Sequence, residues 1–309
     1  MRLRRLWLSS ILLLLGAGYC IRNPERRWLT DSVRESAPGK FATLPDGKTH
    51  YEVGGPEGGQ RVVLVHGFSV PMYIWDSTFV ALTGAGYRVL RYDTYGRGFS
   101  DRPRTSYALS LFDRQLTGLL DTLGWREPVH LVGLSFGGPV TATFVAEHAQ
   151  RVRSWTLVDP AAGAQRAMPS YLGWPIIGEV LWQMAVVPNM ADGQASDFVH
   201  PEKWPDWSDR YRVQQRYFGF GRALLRTRLD NQGGRLDSLY ARAGRSRIPT
   251  LLLWGVEDKT VPISEAAGIQ AVMPPLEFQR IDNAGHLPHM EQSALTHRLL
   301  IAHLQRNGQ

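Results

Sequence analysis

Residues 128–138 read Pro-Val-His-Leu-Val-Gly-Leu-Ser-Phe-Gly-Gly, and they pass straight into the helix-length stretch Pro139–Ala149. An almost uninterrupted apolar run of this kind is what a parallel strand buried on both faces requires. Its end, Gly133-Leu134-Ser135-Phe136-Gly137, is G-x-S-x-G at a strand-to-helix turn. There the glycines relieve crowding, and the helix N-terminus aims amide dipoles at a developing oxyanion. Ser135 is therefore the candidate nucleophile. A plain glycine-rich turn is the competing reading, but the strand before it and the helix after it favour the nucleophile elbow.

Outward from this point the pattern repeats. Apolar runs near 48–53, 61–66, 87–92, 154–159, 249–255 and 276–281 predict six further strands. Amphipathic stretches near 75–85, 108–124, 136–149, 262–272 and 291–305 predict the crossover helices of an α/β fold, a mostly parallel sheet covered on both faces. Between Ala161 and Arg247 the alternation stops and patches rich in Trp, Met and Tyr take over, which predicts an inserted helical cap at 162–245. Residues 31–161 and 246–309 then form the core, and 1–30 stand apart.

A serine nucleophile needs a base, and the base an orienting carboxylate. Asp258 follows the predicted strand Thr250–Gly255, at the rim where such sheets hold their sites. His286 lies 28 residues further, after room for a helix and a strand, so the order is Ser…Asp…His. Glu257 and Asp159 are the rival acids and His289 the rival base. Gly285 gives His286 a flexible loop approach that His289 lacks. The loop His66-Gly67-Phe68 ends an earlier strand, where a backbone amide should face the oxyanion; Phe68 and Phe136 N–H are the expected donors. His66 reads as a hydrogen-bonded loop anchor, with Asp93 and Arg97 as polar fasteners of the turn Asp93–Asp101.

At this point the chain resembles the α/β-hydrolase family, over about residues 41–305. The matching pieces are His66-Gly67-Phe68, Tyr92-Asp93 through Ser100-Asp101, Gly133–Gly138, Leu253-Trp254-Gly255 with Asp258, and Gly285-His286, in family order. The resemblance implies a Ser135–His286–Asp258 triad beneath a helical cap. Epoxide hydrolases and haloalkane dehalogenases of the family carry Asp at the nucleophile, so Ser135 points to the serine branches.

Composition narrows the partners. The net charge is +7, but residues 1–30 hold six Arg against Glu25, so the fold itself is nearly neutral and nucleic acid is not an expected partner. A single Cys, Cys20, excludes intrachain disulfides. No His pair shows metal-ligand spacing, and no cofactor or metal is expected. Leu6–Ile21 is an uncharged run of sixteen residues between arginines. It predicts a retained membrane anchor with the catalytic domain on the non-cytoplasmic side; secretion after cleavage beyond Gly18 is the alternative. The leading expectation is hydrolysis of carboxylic esters with an apolar acyl chain through an acyl-enzyme on Ser135. Carbon–carbon bond hydrolysis of a ring-cleavage product by the same triad is the alternative. An inactive binding protein on the same fold is a third, disfavoured because all three triad residues are present. Oligomeric state is left open.

Overall fold

A computed structural model of the 309-residue chain describes residue 16 and residues 18–165, 167–273 and 276–308. Eight strands form one sheet in the order β1-β2-β4-β3-β5-β6-β7-β8. They are β1 (Lys40–Leu44), β2 (Gly47–Gly54), β3 (Arg61–Val65), β4 (Arg88–Tyr92), β5 (Val129–Leu134), β6 (Val152–Val158), β7 (Thr250–Gly255) and β8 (Glu277–Ile281). From β4 to β8 every pairing is parallel, and β1 and β2 add an antiparallel edge. The sequence reading lacks β1. That strand, Lys-Phe-Ala-Thr-Leu, is an edge hairpin arm whose mixed residues make no unbroken apolar run, and it is recognisable only from its pairing with β2.

Alternate strand residues feed two separate cores. Val63, Val65, Leu131 and Leu252 face one layer, and Val62, Leu64, Val132 and Leu253 the other. β5 and β7 are buried at every position, which is why they read as unbroken apolar runs. The longer helices are α1 (Asp76–Gly84), α2 (Leu109–Thr122), α3 (Gly137–His148), α4 (Ile177–Ala185), α5 (Trp207–Gln215), α6 (Phe220–Asp230), α7 (Leu236–Gly244), α8 (Ala266–Val272) and α9 (Ser293–Arg306).

Helices α4 to α7 occupy the stretch between β6 and β7. The last of them, α7, packs on α3 and α8 of the core, and its Tyr240 stacks near Trp155 of β6 with centroids 6.2 Å apart. Part of the N-terminal region is fastened to this inserted layer. Gln183 of α4 donates to Asn23 Oδ1 at 2.6 Å. The amides of Gly219 and Gly221 donate to the two carboxylate oxygens of buried Glu25 at 2.8 Å each. Trp28 lies against Phe218, centroids 4.7 Å apart. Residues 23–28, grouped by sequence with the 1–30 segment, are thus a strap across the inserted helices. Most of the apolar run 6–21 lies outside the described residues, and among the described residues no helix is long and apolar enough to cross a membrane.

Candidate active site

Strand β5 delivers Ser135 onto a turn that only a strained backbone can make: its φ is 52°, in the left-handed region that a residue with a Cβ rarely occupies. Glycine on both sides is a steric necessity. A Cβ on Gly133 would lie 2.5 Å from the Gly137 carbonyl oxygen, and one on Gly137 would lie 2.4 Å from that of Val65. Ser135 N–H donates to Val158 O at 3.0 Å, which ties the elbow to β6.

The other two sequence-chosen groups meet 28 residues apart. His286 Nδ1 donates to Asp258 Oδ2 at 2.7 Å, and both side chains are buried. Asp258 Oδ1 accepts from the amides of Thr260 and Val261 at 2.8 and 2.9 Å, so the carboxylate is held on both oxygens. This leaves the far nitrogen of the imidazole, Nε2, for a serine proton. Ser135 Oγ is not hydrogen-bonded to His286 here; catalytic contacts of this type commonly close only around substrate.

The rivals have other work. Glu257 Oε2 accepts from Ala284 N–H at 3.1 Å and so anchors the loop that carries His286. His289 is buried against Trp75, its Nε2 donates to Ile74 O at 3.0 Å, and burial pushes its pKa down to about 3. His66 is a loop anchor: Nδ1–H donates to Gly67 O at 2.9 Å and Nε2 accepts from Thr94 N–H at 2.9 Å. Burial lowers its pKa to about 4. Asp93 takes His50 Nδ1–H at 2.7 Å together with the Met72 and Phe99 amides. Buried Arg97 donates to Phe68 O at 2.7 Å, which fixes the loop bearing one expected oxyanion donor. Phe68 and Phe136 both line the cavity at Ser135, and among the described residues neither amide is paired with another group.

Two acidic residues join the site that sequence reasoning either demoted or missed. Asp159, at the end of β6, is wholly buried with φ 41°; its Oδ1 accepts from Gly255 N–H at 2.8 Å and its Oδ2 has no partner among the described residues. Ligating atoms of Asp159, Asp258 and His286 lie within 4.8 Å of one another. Three convergent groups could hold a cation, but His286 Nδ1 is committed to Asp258, so the cluster reads as an acid–base unit. Burial, and then the nearby Asp258 charge, raise the Asp159 pKa well above the usual carboxyl range. Folding therefore favours the protonated form of Asp159. Its contribution to stability is intact below the unfolded value near 4 and is lost as pH climbs toward the raised folded value. Asn carries no charge to bury, so Asp159→Asn should melt above wild type at pH 7 by roughly 2 °C or more, with the gap closing near pH 4. Lower melting of the Asn variant at pH 7 would show that the site needs a carboxylate there.

The second is Asp197, which reaches the site from the inserted helical layer. His286 N–H donates to its carbonyl oxygen at 2.8 Å, and Thr260 Oγ1 donates to its Oδ1 at 2.6 Å. Burial alone lowers the His286 pKa, but the hydrogen bond and charge of Asp258, with the charge of Asp197, outweigh it and leave the base above 6.5. The acid limb of kcat/KM should therefore lie above pH 6.5, because only the neutral ring accepts the serine proton. Asp197→Asn should move that limb to lower pH, since one of the charges favouring the imidazolium is gone. A pH–rate profile unchanged by the substitution would remove Asp197 from the electrostatics of the base.

Ser135 opens into a cavity of about 500 Å³. Phe68, Phe136, Trp182, Val186 and Met190 line its apolar side, and Gln165, Arg228, Asn231, Gln232 and Glu265 its polar side. The Arg228 guanidinium stands 5.5 Å from the Phe68 ring centroid and has no carboxylate partner among the described residues. Nothing in the sequence singles it out, because α6 carries several arginines and only the fold shows that Arg228 is the one lining the cavity of the serine.

The pattern of the alpha/beta hydrolase family matches residues 62–298. A 2-hydroxy-6-oxononadienedioate/2-hydroxy-6-oxononatrienedioate hydrolase of Cupriavidus pinatubonensis is 26% identical, covering 87% of this chain and 96% of the relative. A monoacylglycerol lipase of Xenopus laevis is 23% identical over 84% of this chain and 80% of its own. Among solved structures, a meta-cleavage product hydrolase from Pseudomonas fluorescens superposes with a TM-score of 0.72 at 24% identity, covering 87% and 98% of the two chains.

Proposed function

Since the chain belongs to the alpha/beta hydrolase family, we propose that it is a serine hydrolase whose substrate presents a carbonyl to Ser135 and a carboxylate to Arg228, with carbon–carbon bond cleavage of a ring-cleavage-type oxo-dienoate as the leading reaction. The carrying observation is the unpaired Arg228 beside Asn231 and Gln232, in the same cavity as the nucleophile. A cation left free of protein carboxylates is suited to receive one from a ligand. The dienedioate hydrolases among the relatives act on compounds whose names denote a ketone and two carboxylates, which fits this pairing. The sequence alone puts ester hydrolysis first; Arg228 and these relatives reverse the order.

In this reading Ser135 Oγ adds to the carbonyl carbon as His286 Nε2 takes the hydroxyl proton. The Phe68 and Phe136 amides receive the oxyanion, and Asp258 stabilises the imidazolium. Collapse of the adduct breaks the bond to the leaving fragment, which His286 protonates. Water, deprotonated by the same imidazole, then releases the acyl group from Ser135.

Ester hydrolysis is the second reading, favoured by the apolar wall of Trp182, Val186 and Met190 and by the lipase among the relatives. Turnover of a 2-hydroxy-6-oxo-dienoate, followed by loss of its absorbance beside a p-nitrophenyl ester series, separates the two. The expected result is a kcat/KM for the dienoate at least about tenfold above any ester, with Arg228→Leu raising KM chiefly for the carboxylate substrate. Long-chain esters outrunning the dienoate would make the enzyme an esterase. Residues 6–21 are proposed to tether the enzyme to a membrane with the catalytic domain on the non-cytoplasmic face; fractionation of the full chain and its intact mass test this.

A further inference from the structure

The inserted layer shows an outward face that none of the described residues covers. Trp174, Ile176 and Ile177 are 55%, 76% and 51% exposed, and Tyr171 and Leu181 also stand in solvent. Five large apolar side chains gathered on one short helix and the turn before it are more than the isolated exposures a soluble surface normally carries. The chain holds Ile176 at φ 64°, a conformation that a β-branched residue adopts only when its surroundings impose it. The inner side of the same helix, α4, carries Trp182 into the catalytic cavity.

From these observations we infer that the outer face of α4 and its preceding turn seat in the surface of a lipid bilayer. Three features favour a bilayer over a protein partner. First, the described end of the apolar run lies against α4: Arg22 Nε donates to Met184 O at 2.8 Å, and Tyr19 and Trp28 line one surface hollow with Ile176 and Val180. Tyr19 and Arg22, at the described end of that run, therefore meet the folded domain at this face. Second, the exposed Trp28, Tyr171 and Trp174 are the residue types that settle at the level of lipid headgroups. Third, Arg22, Arg26 and Arg27 are exposed at the rim and form no ion pair among the described residues, as suits anionic headgroups. The inference goes beyond the proposed reaction and does not depend on which bond is cleaved. It places the wall of the catalytic cavity at the membrane, so that an amphiphilic substrate would reach Ser135 from the interface.

The test uses the full chain with Cys20→Ser and a single new cysteine carrying a nitrobenzoxadiazole fluorophore, at Ile177 in one variant and at Val80 of α1 in the control. Val80 is equally apolar and 69% exposed, but lies on a core helix. In vesicles of phosphatidylcholine with phosphatidylglycerol, the label at 177 should shift to the blue, brighten at least about twofold and be quenched by brominated acyl chains, while the label at 80 stays aqueous. A label at 177 that remains open to iodide would leave the face in water and overturn the inference. A blue shift without bromolipid quenching would overturn it too, because the face would then be covered by residues 1–15 or by a second copy of the chain. Should Ile177→Cys fail to fold, the same label at Leu181 reads the same face.

Discussion

Ser135→Ala should lower kcat by at least about 10³-fold while leaving melting and circular dichroism unchanged. The serine sits on a positive-φ elbow whose neighbours are held by backbone bonds to β6 and by glycine packing, none of which uses Oγ. Removing the hydroxyl therefore removes the acyl-enzyme and little else. Residual turnover would come from the oxyanion amides and substrate binding alone. A fluorophosphonate probe should label the wild-type chain at Ser135 and leave the variant unlabelled. Near wild-type turnover in the Ala variant, on whichever substrate proves best, would refute the serine mechanism.

The second large effect belongs to the pair behind the serine. His286→Ala should be nearly as inactive as Ser135→Ala, and Asp258→Asn should lose roughly 10³–10⁴-fold, because Nδ1 then faces a donor and the ring adopts the wrong tautomer. The double variant Asp159→Asn/Asp258→Asn reads this loss with no second carboxyl left to occupy the position. His289→Ala is the informative contrast. It removes a buried ring against Trp75 and so costs stability, yet its kcat per folded molecule should stay within a few-fold of wild type. An inactive, folded His289→Ala beside an active His286→Ala would transfer the base to the other imidazole.

Sheet, elbow and triad candidates were legible because each leaves a local trace. Buried parallel strands force unbroken apolar runs, and the elbow forces glycine at fixed offsets from Ser135. What the sequence hid depends on distant docking. Asp197 belongs to a single turn of the inserted layer and acquires meaning only when that layer brings it to the His286 backbone. Asp159 reads as a turn former before Pro160 until the end of β6 is laid beside the loop after β7. Arg228 is one of several arginines until the helix is rotated over the cavity. Each of these residues acts through tertiary proximity, which leaves no periodicity to read.

The strap of residues 23–28 decides what a cut in the N-terminal region would do to the fold. Processing after Gly18 would spare every contact made by Asn23, Glu25 and Trp28, and the mature enzyme would keep its roof tied down. A protease cutting past Glu25 would strip Gly219 and Gly221 of their acceptor and free Gln183 of α4 from Asn23, loosening the wall that carries Trp182. The strap thus couples the chain's N-terminal region to the width of the catalytic chamber.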